Sequence, residues 1–355
     1  YKEMLTIAAQ NENIMLPPPI TDIAVAILFF NRPDMLAATF EAVRRARPAH
    51  LLLYQDGSRG AKDDAAVEAC RQIVADDKID WQCDVHRNYQ TRNYGCDPSE
   101  YLCQKWAFSL FEDCVFVEDD DVISPTFLPF CREMLDRYRH DERVGIICGF
   151  NVDEKTTDIG TASYFFSSHC SIWGWASWRR VFDTWEADYA FLRRPESMAM
   201  LEAQVRHRGL RGELLTIARS HSESGKEYYE SILAMALLLH SRLNIFPRVN
   251  MVKNIGTVEE SVHFSGLKLL PKEYRRIFTM DVHDLDFPLT HPHDVIDHTA
   301  YRERVYDVYA WRRPWKKVMR SFEELWLNVK AGQWRNIATS IKKRAIKLAG
   351  KKQYR

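Results

Sequence analysis

The stretch CVFVEDDDVISP, Cys114 to Pro125, runs apolar through Val117 and then sets Glu118, Asp119, Asp120 and Asp121 in a row. Its first half reads as a strand covered on both faces, because buried parallel strands appear as continuous apolar runs. Four adjacent carboxylates repel one another, so the second half calls for positive charge. Working outward, the same strand pattern recurs at IAVAILFF (23–30), LLLYQ (51–55), DVHR (84–87) and VGIICGF (144–150). Between these runs apolar residues recur at helical spacing over 33–46, 61–76, 98–111 and 125–139. Strands alternating with helices predict an α/β fold, a Rossmann-like, mostly parallel sheet flanked by helices.

Polar residues gather where the predicted strands end: Asn31 and Arg32, then Asp56 and Gly57, then Asn88 to Arg92, then the acid run. In open α/β sheets ligands bind in the crevice outside those carboxyl ends, so these loops converge on one site. Neither a GxGxxG fingerprint nor a P-loop is present. Carboxylates at a strand end suit a hard divalent cation, Mg²⁺ or Mn²⁺, which takes oxygen ligands and shares its shell with water and phosphate. The competing reading is a helix cap, with acids before a helix whose first turn holds Pro125.

The chain has 355 residues, is 46% hydrophobic and carries no formal net charge, which argues for a globular protein and against electrostatic capture of nucleic acid. That zero conceals an asymmetry. From Pro314 to Arg355 there are twelve Lys/Arg against Glu323 and Glu324, a surplus of about +10 that the body balances. The eight cysteines lie singly with no CxxC pair, which predicts reduced thiols in the cytoplasm. The sequence begins at Tyr1, so an upstream segment is expected; no signal peptide is legible, and Ile23–Phe30 is too short to span a bilayer. The predicted organisation is an extended lead-in (1–22), the α/β domain (23–264), an irregular His-, Asp- and Pro-rich segment (265–312) and a basic amphipathic helical tail (313–355). Within 23–264, SYFFSSH reads as a strand and LNIFPRVNMVKNIG as a strand pair.

Taken together and in order, AVAILFFNRPDML, LLLYQDGSRG, CVFVEDDDVISPTFLPF and SIWGWASW resemble the GT-A glycosyltransferases, nearest the group of β-1,2-N-acetylglucosaminyltransferase I and its bacterial relatives. The resemblance covers residues 23–264. It implies an inverting, metal-dependent transfer of a sugar from a nucleoside diphosphate, UDP in the expected case, to a glycan or glycolipid hydroxyl. It implies nucleotide contacts at Arg32 and Asp56, and it lays the family's Glu-Asp-Asp on Glu118, Asp119 and Asp120, with Asp120 holding the metal. Asp121 is an extra acid relative to that pattern and a candidate second ligand. The bacterial relatives carry a Trp-Asp pair before an Asn-Ile-Gly, and counting back from Asn254 puts that pair on Tyr229 and Glu230. Glu230 is thus the implied catalytic base, one methylene longer than the family's Asp, with Glu227 as the fallback. His263 corresponds to a family His near the diphosphate or metal; His169 has no comparable support.

Trp173, Trp175 and Trp178 could stack an acceptor sugar or fill the core, since aromatic rings dominate both settings. In the tail, apolar stripes at Trp315, Met319, Phe322, Trp326 and Val329 and again from Trp334 to Leu348 predict two helices. Basic helices with terminal tryptophans suit the cytoplasmic face of an anionic membrane, and equally an acidic protein surface. Two other functions compete. A sugar-1-phosphate nucleotidyltransferase would need a Gly-rich, basic loop after the first strand, which FNRPDML lacks. A non-catalytic membrane-associated binding module would need only the fold.

Overall fold

The computed structural model describes residues 16–256, 267–337 and 339. Its strands are β1 (Thr21–Phe29), β2 (Pro48–Gln55), β3 (Asp84–Tyr89), β4 (Asp113–Glu118), β5 (Asp121–Ile123), β6 (Val144–Cys148), β7 (Tyr164–Ser167), β8 (Trp175–Trp178), β9 (Leu243–Pro247) and β10 (Val252–Asn254). The helices are α1 (Pro33–Ala46), α2 (Ala61–Ile73), α3 (Cys96–Leu110), α4 (Phe127–Arg137), α5 (Arg179–Phe182), α6 (Pro195–Gln204), α7 (Arg208–Ser224), α8 (Tyr229–Leu239), α9 (Lys272–Thr279), α10 (Thr299–Val308) and α11 (Trp315–Lys330).

Eight strands form one sheet in the order β3-β2-β1-β4-β8-β6-β9-β7, and β10 pairs with β5 in a two-stranded ribbon. β3, β2, β1 and β4 run parallel, while β8 lies antiparallel to both β4 and β6. The register sets Leu28 beside Glu118 and Phe29 beside Gln55. The ends of β1, β2 and β4 therefore finish level, and Arg32, Asp56 and the acid run emerge at one edge.

Alternation along the strands divides the core between the two faces of the sheet. Val25, Ile27, Phe29, Leu51 and Leu53 face α1 and α4 through Leu36, Phe40, Val43, Leu128 and Met134. Ala24, Ala26, Leu52 and Tyr54 face the opposite way, onto Cys103, Ala107 and Phe108 of α3 and Leu233 and Leu237 of α8. Helix α1 shows why the sequence folds as it does locally. Pro33 occupies its first turn beside Asp34, Arg44 and Arg45 close its last turn, and Met35, Leu36, Thr39, Phe40 and Val43 form the buried stripe.

Two expectations change, and a segment with no assigned element gains a strand. LNIFPRVNMVKNIG yields two strands that do not pair with each other: β9 enters the main sheet between β6 and β7, whereas β10 joins β5 just beyond the acid run. The apolar Ile245 and Phe246 belong in the core, while Val252–Asn254 is drawn to the strand it completes. The tryptophan-rich segment contributes β8, an interior strand. Residues 267–312, expected to be irregular, hold α9 and α10, which set Ile277, Tyr301 and Val305 in the same core as α3 and α8. Their short lengths and interleaved His and Pro hid the helical period.

Candidate active site

Asp56 directly follows β2 and is buried. Its Oδ1 accepts the backbone N–H of Gly57 (2.9 Å) and of Tyr94 (2.9 Å), and its Oδ2 accepts from Asn93 Nδ2 (2.8 Å) and Gly95 N (3.0 Å). A carboxylate so engaged fixes the loop that opens α3. Gly57 permits the approach, since a Cβ there would stand 2.4 Å from the Arg92 backbone. The structure gives Asp56 a definite structural role, that of orienting residues 93–95.

Arg32, one residue before α1, answers the acid run. Its Nη1 donates to Asp120 Oδ2 at 2.8 Å, its Nε to Asp119 Oδ2 at 3.3 Å, and its Nη2 pairs with Asp119 Oδ1. The Asp119 backbone carbonyl accepts from Thr39 Oγ1 at 2.9 Å, which ties the run to α1. Burial pushes the Asp119 carboxyl up to about 6, with Arg32 opposing and Asp120 adding to the rise.

Asp120 and Asp121 part ways. Asp120 Oδ1 accepts from Asn254 Nδ2 (2.9 Å), and Ile255 N donates to the Asp120 carbonyl (2.8 Å). Asp121 is fully buried; its Oδ2 accepts from Gly174 N (2.9 Å) and Glu118 N (3.5 Å), and its Oδ1 from Asn254 Nδ2 (3.3 Å). Burial and then the charge of Asp120 push the Asp121 carboxyl up to about 8. Asn254, facing Asp121 across the β5–β10 ribbon, holds both acids at once.

Further carboxyls share the crevice. Asp97 and Glu100 come from the first turns of α3, and Glu100 is buried. Burial raises Glu118 well above the carboxylate range, with Glu100, Asp121, Asp120 and Glu230 adding to it. Burial likewise raises Glu100, with Glu230 and Asp97 next. Asp97 and Glu100 were not singled out from the sequence; two acids just after Gly95, at a strand-to-helix turn, are the signal that marks them.

Glu230 stands in the first turn of α8 and is exposed, while its neighbour Tyr229 is buried. Tyr229 Oη donates to Glu118 Oε1 at 3.4 Å and stacks on Trp175, which stacks in turn on Phe116. This column of rings connects the base of α8 to β4. Surrounding protein pushes the Glu230 carboxyl up, and Asp97 adds like charge. Glu227, the fallback, is half-buried just before α8. His263 lies outside the described residues.

The tryptophans divide by role. Trp175 and Trp178 are core, the latter donating its indole N–H to the Leu135 carbonyl at 3.1 Å. Trp173 is half-buried against Phe150 and Phe278. His169 is packed on Phe246, and burial lowers it to about 4, so it is a neutral structural histidine.

All-oxygen donors with more carboxylate than cation fit a hard divalent ion, and Asp120 Oδ2 is held by a guanidinium that such an ion would displace. Among the described residues, the three whose metal-binding atoms lie within 4.8 Å of one another are instead His50, Asp84 and His86. They start β2 and β3, at the edge of the sheet away from the acid run.

No protein family matches this sequence, and no curated relative does. Solved structures that superpose on it include a UDP-glucose pyrophosphorylase complexed with UDP-glucose and an apo UDP-glucose pyrophosphorylase, at 10% and 11% identity and a TM-score of 0.33 each. Each covers 68% of this chain and 97% of its own. These neighbours are enzymes of nucleotide-sugar metabolism, and superpositions this loose assign no activity.

Proposed function

We propose that this protein is an inverting glycosyltransferase that moves a sugar from a nucleoside diphosphate, UDP in the first instance, to a hydroxyl of a glycan or glycolipid. The observation that carries the reading is that Glu230 lies near enough to Glu118, the first acid of the run, to add like charge to it. An accessible carboxyl at the head of α8 shares one crevice with Asp119 and Asp120, whose counter-ion is Arg32. In this reading Glu230 takes the proton of the attacking hydroxyl, help typically worth ~10²–10⁴-fold.

Asp120 would hold a Mg²⁺ or Mn²⁺ ion, which when bound supplies positive charge against the diphosphate leaving group. Arg32 lies beside it and would move from Asp120 toward a nucleotide phosphate, for which a planar guanidinium is well matched. Asn254 keeps the Asp120 carboxylate oriented, and Asp121 holds Gly174 and the following β8 in place. Trp173, half-open beside this loop, is the ring available to an acceptor sugar. A single displacement with one base inverts the anomeric centre.

The test is UDP-sugar turnover with and without glycan acceptors. Asp120→Ala should abolish metal-dependent donor binding and transfer, and Glu230→Gln should keep donor binding and lose transfer. Release of UTP from UDP-sugar and pyrophosphate, with no transfer to any acceptor, would replace this reading with the nucleotidyltransferase.

A further inference from the structure

Helix α11 is mounted inside out. A surface helix of a soluble domain turns its apolar stripe to the core and its charges to water. Here Trp315, Val318, Met319, Phe322, Trp326 and Val329 share one face and are all 44–63% exposed, whereas Arg320 and Asn328 are the buried positions. The helix is held by its polar side. Lys316 Nζ reaches Glu273 Oε1 at 3.0 Å, Arg320 pairs with the same carboxylate and lies 4.6 Å over the Tyr274 ring, and Glu323 Oε1 accepts the Lys272 N–H at 2.9 Å. Lys317 adds an ion pair to Glu213 of α7 at 2.9 Å. Six large apolar side chains thus point away from the body, fixed there by charged contacts on α9 and α7.

A contiguous apolar face of this size marks an interaction surface, and the charges around it select the occupant. Trp315 and Trp326 stand near the two ends of the stripe, and tryptophan settles at the water–lipid boundary. Lys330 caps the helix with its ammonium 5.1 Å from the Trp326 ring centre, and from residue 340 the sequence adds seven Lys/Arg and no acid. A second copy of the chain would add the same basic surplus in sequence, so self-association is opposed by charge. No helix among the described residues is long and apolar enough to cross a membrane. The orientation required is parallel to the surface.

We propose that α11 seats its Trp315–Val329 face in the headgroup region of an anionic bilayer, making this protein a peripheral membrane protein held by an interfacial helix and a basic tail. The attachment is independent of the catalytic reading. Apolar burial and lipid charge act together in such helices.

The experiment is sedimentation of the full chain with phosphatidylcholine vesicles, and with the same vesicles containing about 30% phosphatidylglycerol, an anionic content at which basic clusters bind. Partitioning should be at least about tenfold stronger onto the anionic vesicles, and a Phe322→Ser/Trp326→Ser variant should lose at least about tenfold of it. Melting temperature and circular dichroism should stay unchanged in that variant, because these side chains face outward. Lys342→Glu/Lys343→Glu provides a second variant that leaves α11 intact and should weaken binding to anionic vesicles alone. The proposal is overturned if the wild type ignores anionic vesicles, if the serine variant binds as the wild type does, or if the wild type is a dimer that the serine variant converts to a monomer.

Discussion

Asp121 Oδ2 accepts the backbone N–H of Gly174 at 2.9 Å, and this contact joins the acid run to the tryptophan-rich segment 53 residues later. Gly174 has φ +55°, and its carbonyl accepts from Gly149 N at 2.7 Å. The last of the four acids therefore shapes the loop that feeds β8 between β4 and β6. The fold uses Asp121 as an anchor, and Asp119 and Asp120 are left as the acids that face Arg32.

Gly174→Ala follows directly. A left-handed residue with a Cβ costs about 1–2 kcal/mol, and the added methyl would stand 2.7 Å from Val252 Cγ2. Crowding of that kind adds roughly 1–3 kcal/mol. The variant should lose about 2–5 kcal/mol in urea unfolding; a loss under about 1 kcal/mol would mean that β10 yields easily.

Asn254→Ala tests the link between the two acids. The amide serves Asp120 at 2.9 Å and Asp121 at 3.3 Å. Removing a group that orients a ligand typically costs about 10–100-fold in metal affinity. Calorimetric titration of UDP in the presence of Mn²⁺ should show that loss. Titration without metal should change far less.

Stability should fall as pH rises from about 7 to about 8 in metal-free protein. Burial lifts the Asp121 carboxyl to about 8, and lifts Glu118 and Glu100 well above the carboxylate range. A carboxyl whose folded pKa is raised favours the folded state while it is protonated, and that contribution disappears as pH climbs through the folded value. His169, lowered by burial to about 4, is neutral in both states over this window and does not interfere. The slope is at most about 1.4 kcal/mol per pH unit for each group. Melting temperature should drop across the window, and the drop should shrink in Asp121→Asn. A flat profile would show that the run shares fewer protons than its burial implies.

The sequence carried much of this architecture because buried parallel strands announce themselves: Val115–Val117 and Leu51–Leu53 have no polar face to disguise them. The level strand ends then followed from topology, and with them the meeting of Arg32 and the acid run. What escaped was tertiary. Nothing near Asn254 says that its amide will bridge two carboxylates from residues 120 and 121. Trp175 and Trp178 read equally as platform or core until a strand forms around them. The stripe of α11 was legible, but its direction was not, because periodicity fixes which residues share a face and leaves open whether that face meets protein or solvent.

The pH–rate profile bears most directly on Glu230. A general base must be ionised, so transfer should rise with pH through the Glu230 pKa and then level off. Desolvation by the surrounding protein lifts that pKa, and the charge of Asp97 lifts it further. The acid limb should accordingly lie above the ordinary carboxylate range. Asp97→Asn removes the like charge and should move the limb to lower pH while leaving the plateau rate within a few-fold, since Asp97 acts through the electrostatics of Glu230. Glu230→Gln should drop the plateau by ~10²–10⁴-fold at unchanged donor affinity. If Asp97→Asn leaves the limb in place while Glu230→Gln still lowers the rate, the titrating group is another member of the cluster, with Glu118 or Glu100 next to test by the same measurement. A normal rate in Glu230→Gln would instead move the base to Glu227.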